Sequence, residues 1–372
     1  FLFLLCVCLV NMKSTTVTPK PRIVILGGGN GTSRLLLSLL PKLLNEEIES
    51  LYALVHMSDD GGSTGRLREQ YQVAAVGDLT KCLMALSSFQ GDLRGNEFLT
   101  ALEYRFSTGD FGGHTVRNIL LTALEKTQPI AKSVDEKDAP IDRALAVMAR
   151  LLQVPKHAGV IPTTTTPLTE RVVIDFNGEQ NLLGEGQHSI SHRVNLQADP
   201  RWRPGDVKVT FTEGNPPLND RARQVLEQAT HIIVAPGHTY GTILPTLALP
   251  ALGQAISKTK AKLWVVMTLL TTPRQTVGWS GEDFMAVYES YLGRSADLVI
   301  SNKSEVDIDL VEGQEWVKFN GGAVRYDLIE EDLVNSSLPN VQDGDVVPRA
   351  VVVHDSARMQ KLIGSLLKGS TK

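Results

Sequence analysis

Cysteine is scarce in this chain: there are three in 372 residues, and Cys6 and Cys8 both fall within the first ten. Only Cys82 remains in the body, which excludes a disulfide framework and leads us to expect a reducing, cytoplasmic compartment. Basic charge is not in excess either. The 37 Lys and Arg are outnumbered by 41 Asp and Glu, giving a net charge of −4 and no footprint for a nucleic-acid partner. Long apolar runs are missing too. The opening stretch from Phe1 to Val10 has only ten such residues, where a bilayer span needs about twenty, so no membrane partner is expected. That stretch has neither a basic lead nor an initial Met. We therefore expect Met12 to be the true start and residues 1–21 to be a disordered or non-native tail, with a truncated secretion signal as the alternative.

Glycine is plentiful, with 31 residues, and it clusters at the ends of apolar runs. The run from Ile23 to Leu26 stops at Gly27-Gly28-Gly29-Asn30-Gly31-Thr32 and leads into leucines at helical spacing, which reads as strand, tight turn and helix. A second run, Leu51 to Met57, stops at Ser58-Asp59-Asp60-Gly61-Gly62-Ser63-Thr64-Gly65-Arg66. In a parallel sheet the carboxyl ends of neighbouring strands share one edge, where helix N-termini gather and anions bind.

The first loop is neither of the two common phosphate fingerprints. A dinucleotide loop needs a third glycine where Thr32 stands, and a Walker loop needs a lysine after Gly31. What survives is a loop whose backbone amides approach a phosphate because no Cβ intervenes. In the second loop Asp59 and Asp60 adjoin three glycines, with Arg66 and Arg68 to neutralise an anion. Adjacent carboxylates in a cleft call for a hard cation such as Mg²⁺, while on a surface they would simply cap the next helix. Asp78, in Gly77-Asp78-Leu79-Thr80, either caps a helix or completes that metal site. His114 and Asn118, four apart at the start of another apolar helix, share a face.

Further on, Ala131 to Ala139 reads as a polar linker, and residues 160–211 alternate like antiparallel strands, with a break at Asn177-Gly178. Buried parallel strands then resume at His231–Ala235, Lys262–Met267, Leu298–Asn302 and Ala350–Asp355. The expected fold is α/β, a Rossmann-like three-layer sandwich with a mostly parallel sheet and a small β-rich inserted lobe.

The glycine and aspartate loops, followed by Tyr104-Arg105-Phe106, Gly113-His114 with Asn118, Ala235-Pro236-Gly237 with Tyr240, Met267-Thr268 and His354-Asp355, resemble in order the YvcK-like gluconeogenesis factor proteins. These belong to the CofD-like group, whose founding member is a 2-phospholactate transferase. The resemblance covers roughly residues 22–367, within a single domain of 22–368. It implies a Rossmann-like sandwich, a UDP-sugar ligand, and a role in carbon metabolism and cell-envelope growth. This chain departs from the family pattern at Leu79-Thr80-Lys81, at Arg117, and at His238-Thr239 and Gly241-Thr242 on either side of Tyr240. Those changes fall where a ligand would be read.

The ligand-binding candidates are Gly28, Gly29, Asn30, Gly31 and Thr32 in one cradle and Gly61, Gly62, Ser63 and Arg66 in a second. His114, Asn118 and Gly237 complete the set, with Tyr240 stacking on a base or sugar. Asp60 and Asp78 are the expected Mg²⁺ pair, with Asp59 in reserve. Two alternatives use the same loops. One is a transferase moving a phospholactyl-like group to an acceptor hydroxyl, and the other is a nicotinamide-dependent oxidoreductase with Asp59 on the ribose. The sequence is also compatible with a homo-oligomer.

Overall fold

The computed structural model describes residues 19–89, 93–129, 139–176, 179–186, 189–190, 194–199, 201–335 and 352–369. Most of the expected tail, nearly all of the 131–139 linker and the Asn177-Gly178 turn lie outside the described residues. The first half of the chain gives β1 (Arg22–Leu26), α1 (Gly29–Leu44), β2 (Ser50–Val55), α2 (Gly62–Tyr71), α3 (Val76–Ala85), α4 (Leu93–Glu103), α5 (Val116–Thr127), α6 (Pro140–Leu151) and β3 (Ala158–Pro162). A lobe follows with β4 (Glu170–Phe176), β5 (Glu179–Glu185) and β6 (Val207–Phe211). The chain then continues through α7 (Asp220–Gln228), β7 (His231–Val234), a π-helical turn (Thr239–Ile243), α8 (Leu244–Leu247), α9 (Pro250–Lys258), β8 (Lys262–Val266), α10 (Gly281–Leu292), β9 (Leu298–Asn302) and β10 (Asp327–Glu331). It closes with β11 (Val334–Asn335), β12 (Val353–His354) and α11 (Ser356–Gly369).

Seven strands form one sheet in the order β10-β9-β8-β7-β1-β2-β3, and every adjacent pair is parallel. A strand covered on both faces needs apolar residues at both parities, which is why β1 reads as an unbroken apolar run. Ile23 and Ile25 point into a core shared with α1, α3, α5, α6 and α11, whereas Val24 and Leu26 point into a second core with α7, α9 and α10. That makes three layers, as the sequence led us to expect. The chain runs outward from β1 to β2 and β3, then returns to β7 on the other side of β1. The carboxyl ends of β1 and β7 therefore flank the switch point of the sheet, the place where such folds bind ligands.

Two expectations need correcting. Val160 to Pro162 pair in parallel with Ala53 to Val55 as the edge strand β3, so the β-rich lobe begins at Glu170 and not at residue 160. Its strands are antiparallel in the order β5-β4-β6, and Val172, Ile174, Val207 and Val209 pack into the second core of the sandwich. The expected last strand is also different. Val353–His354 pairs antiparallel with Val334–Asn335 in a separate two-stranded sheet, and β10 takes the outer edge of the main sheet. An edge strand faces water along one side, so Asp327-Leu328-Ile329-Glu330-Glu331 carries none of the continuous apolar signal of its neighbours.

Candidate functional site

The loop after β1 turns sharply, and glycine makes the turn possible. Gly27 has φ +143° and Gly29 φ +62°, both unfavourable for a residue with a Cβ. Gly28 caps α1 in an extended conformation with no side-chain hydrogen bond, so the helix presents its first-turn amides and positive dipole end to the cleft. Gly31 packs against the loop after β7, where an added Cβ would lie 1.7 Å from the carbonyl oxygen of Pro236. It thus gives the close helix approach that the absent third glycine supplies in a dinucleotide fingerprint. Thr32 is fully buried beneath the turn, and its hydroxyl has no hydrogen-bond partner among the described residues.

The loop after β2 repeats the arrangement. Gly61 caps α2 in an extended conformation, again without a side-chain bond. Ser63 in the first turn is buried, and its hydroxyl lies 2.9 Å from His114 Nδ1. Asn118 Nδ2 donates to the same oxygen at 3.1 Å. The shared face expected of His114 and Asn118 is therefore real, and Ser63 is what the two residues share. Arg66 donates to Gly112 O at 2.6 Å, tying the loop before His114 to α2. Arg68 donates to Asp59 O and Leu168 O, so it braces the loop toward the lobe. Burial, with Arg66 and Arg105 nearby, lowers the His114 pKa from its ordinary value and favours the neutral ring.

The carboxylates sort into two groups. Asp78 lies in the first turn of α3 and presses against the first cradle, where a Cβ on Gly28 would come within 2.3 Å of its Oδ2. Its Oδ2 is also 3.3 Å from Nε2 of the fully buried His56, whose Nδ1 meets Ser58 Oγ at 2.9 Å. Asp59 belongs to this group. Burial and the neighbouring Asp78 carboxylate push its pKa up to about 6, against hydrogen bonds from Gly61 N–H and the Thr64 side chain.

Asp60 is turned toward the lobe. A Cβ on Gly186, which has φ +79°, would lie 2.7 Å from Asp60 Oδ2. Asp60 also interacts electrostatically with Arg68 and with Glu170 at the start of β4. Glu170 is fully buried, neither of its oxygens has a hydrogen-bond partner among the described residues, and burial raises its pKa well above the ordinary value.

Among the described residues no three His, Cys, Asp or Glu side chains form a group that could hold a metal on their own. Mg²⁺ bound with a diphosphate needs only one or two carboxylates, the rest of its shell being water and phosphate oxygens. Asp78 fits that limited role, because a carboxylate against a phosphate loop needs a positive charge between the two anions. Asp59 is the carboxylate of the second loop that interacts with Asp78, whereas Asp60 faces the lobe.

The third loop differs from expectation. Tyr240 lies in the π-helical turn after β7 and is 1% exposed, packed in the second core with Trp279 beside it. It is in no position to stack on a ligand, and this corrects the sequence-based expectation. A Cβ on Gly237, at the root of the same turn, would lie 3.0 Å from the Ile243 side chain. Sequence reasoning also missed Glu170 and Arg117. Arg117 is 6% exposed and donates from Nη1 to Gly77 O, Thr80 Oγ1 and Asn118 Oδ1. The signal for Arg117 was present, since it stands where the family resemblance leads one to expect glycine. Glu170 lies in an alternating strand and had no such marker.

Comparison with known proteins identifies the family and the fold. A family model described as 2-phospho-L-lactate transferase CofD matches residues 23–341. A putative gluconeogenesis factor from Thermotoga maritima is 28% identical over 349 residues, covering 92% of this chain and 98% of its own. The gluconeogenesis factors of Listeria monocytogenes and Bacillus subtilis are 28% and 27% identical, over 93% and 94% of this chain and 96% and 99% of theirs. In fold, a crystal structure of a UPF0052 family member from Bacillus halodurans superposes with a TM-score of 0.73 at 22% identity, covering 92% of this chain and 99% of its own. With the family model spanning most of its length, this chain belongs to the CofD family, among relatives named gluconeogenesis factors.

Proposed function

We propose that this protein binds a nucleoside diphosphate ligand, a UDP-sugar, across the carboxyl ends of β1 and β2. The observation that carries the reading is the convergence of two uncapped, glycine-lined helix N-termini, those of α1 and α2, at neighbouring strand ends. Two such cradles suit two linked phosphates, since each offers first-turn amides and a positive dipole end. Gly28, Gly29, Asn30 and Gly31 would hold one phosphate. Gly61, Gly62, Ser63 and His114 would hold the other, with Arg66 nearby. Asp78, seconded by Asp59, would hold the Mg²⁺ that offsets the charge of the diphosphate. The names of the relatives support a role in regulating carbon metabolism, and we place the protein's action on cell-envelope growth in the same proposal. Calorimetry tests the binding reading: UDP-glucose with Mg²⁺ should bind, with free glucose at least a hundredfold weaker. Equal binding of glucose, or no binding of any nucleotide, would refute it.

The description of the family model favours one second reading, group transfer from a nucleotide diphosphate to an acceptor hydroxyl with release of a nucleoside monophosphate. Phosphorus NMR of UDP-glucose incubated with the protein and Mg²⁺, with and without candidate acceptor alcohols, separates the two. A ligand that stays chemically unchanged supports a binding protein, and the appearance of UMP supports a transferase.

A further inference from the structure

A chain of hydrogen bonds running from Arg117 to His114 has only one consistent direction. A guanidinium can only donate, so the Asn118 side-chain atom 3.1 Å from Arg117 Nη1 must be the amide oxygen. Thr80 Oγ1 accepts from Arg117 at 2.6 Å and gives its single proton to Gly77 O or Asn118 Oδ1, 3.0 Å from each. The remaining atom of the Asn118 amide, Nδ2, is therefore the one that donates to Ser63 Oγ at 3.1 Å. Ser63 has accepted a proton there and must place its own hydroxyl proton elsewhere. The only acceptor within reach among the described residues is His114 Nδ1, at 2.9 Å. An imidazole nitrogen that accepts carries no proton, so the ring proton sits on Nε2.

The other end of the ring is open. His114 Nε2 has no hydrogen-bond partner among the described residues, yet it is not among the buried orphaned side-chain atoms, so it borders accessible space. It lies beside the first turn of α2, with Arg66 and Arg105 as the charged neighbours. Both arginines are already engaged with backbone carbonyls, of Gly112 and Gly113 respectively.

We propose that the Arg117–Asn118–Ser63 relay fixes His114 as the neutral Nε2–H tautomer, which donates to a phosphoryl oxygen held at the N-terminus of α2. Arg117 and Asn118 are then positioning residues, acting through Ser63 on an atom neither of them touches. The inference deepens the binding reading above and rests on it for the identity of the ligand, but the tautomer itself is a property of the ligand-free protein. Fixing the donor in advance spares the ligand the cost of ordering it, which a surface lysine or a rotating hydroxyl would exact.

The test is a long-range ¹H–¹⁵N correlation spectrum of the histidine rings in the full chain at pH 7.5, with His114 assigned by its loss in His114→Gln. Wild-type His114 should show a protonated Nε2 and a bare Nδ1. A bare Nε2, or an imidazolium, overturns the proposal. Asn118→Asp should invert the relay. Its carboxylate can pair with Arg117 and keep the fold, but it only accepts, so Ser63 must donate to it and His114 must turn to the Nδ1–H form. A helix-start residue with a merely structural role would not move the tautomer. Affinity for UDP-glucose should fall at least tenfold in the same variant, and a wild-type spectrum in Asn118→Asp counts against the proposal.

Titration with inorganic phosphate and with UDP-glucose should each shift the His114 Nε2–H signal. If phosphate shifts it while UDP-glucose fails to bind, the nucleotide-sugar reading fails and the His114 site stands. If UDP-glucose binds by calorimetry and leaves the signal unmoved, the His114 site is overturned and the reading survives.

Discussion

At the scale of single residues, Gly28 and Gly31 in the first cradle are not equivalent. A Cβ on Gly28 meets the far end of the Asp78 side chain, which can swing away, while a Cβ on Gly31 meets the backbone of Pro236, which cannot. Gly28→Ala should therefore fold and lose ligand affinity, and Gly31→Ala should lose several degrees of melting temperature as α1 is forced off the β7 loop. Thermal melts alongside calorimetry read the two effects separately.

Glu170 gives a second residue-level prediction. Its folded pKa lies above its unfolded value, so the stability its neutral form contributes is complete below the unfolded value and is lost as pH rises through the folded one. Glu170→Gln should thus gain in melting temperature over the wild type at pH 8 and show little difference at pH 4. An equal difference at both pH values would mean that Glu170 keeps its charge in the folded protein. The carboxylates of the cleft divide in the same way. Asp78→Asn should remove the Mg²⁺ dependence of UDP-sugar binding, while Asp60→Asn, facing Glu170 and the lobe, should leave most of it. A larger effect at Asp60 would restore the expected Asp60 and Asp78 pair.

At the scale of elements, the sequence is readable where one physical cause dominates. Strands buried on both faces must be apolar throughout, and loops that bring a backbone close to a ligand or another backbone must be glycine-rich, so β1, β2, β7, β8 and their loops stood out. The edge strand β10 and the two-residue strand β11 did not, because each leaves a face or a side to water and needs no continuous pattern, and β12 was read as a strand but assigned to the wrong sheet. Tyr240 shows the limit most clearly. An aromatic after a glycine at a strand end looks like a ligand contact, but the π-helical turn from Thr239 rotates its ring into the core. Single-turn π segments shift the register by one residue, and sequence spacing alone gives no warning of that.

The lobe carries an element-level prediction. Gly186 at the end of β5 has φ +79°, which disfavours any side chain, and a Cβ there would also push on the Asp60 carboxylate. Gly186→Val should loosen the lobe, seen as faster amide hydrogen exchange in β4 and β5, while β1 and β8 keep their protection. Uniform loss of protection would show instead that the lobe and the sandwich unfold as one unit, as their shared core allows.

On the scale of the whole molecule, two buried histidines weaken the protein in acid. His231 opens β7 at the amino edge, its ring edge-on to Trp264 at 4.8 Å, and burial, helped by Lys262, holds its pKa down to about 4. His354 sits in β12 beside the α1 residue Arg34 on the carboxyl side, and burial with that arginine likewise lowers it to about 4. For both, the folded value is below the unfolded 6.5, so their stability is complete above pH 6.5 and drains away as pH falls through 4. Each pH unit that separates the folded from the unfolded value is worth about 1.4 kcal/mol, so either histidine can remove about 3 kcal/mol. That is a large share of the roughly 5–15 kcal/mol that holds a typical domain together. Asp59 and Glu170, whose folded values are raised, oppose this loss, so the histidine share of the slope is read by comparing variants in urea unfolding at half-unit steps from pH 6.5 to 4. His231→Phe keeps the aromatic contact with Trp264 and has no proton to bind, so it should flatten that slope by about 1.4 kcal/mol per pH unit near pH 5. An unchanged slope would mean that His231 is already charged in the folded state. The acid sensitivity would then belong to His354.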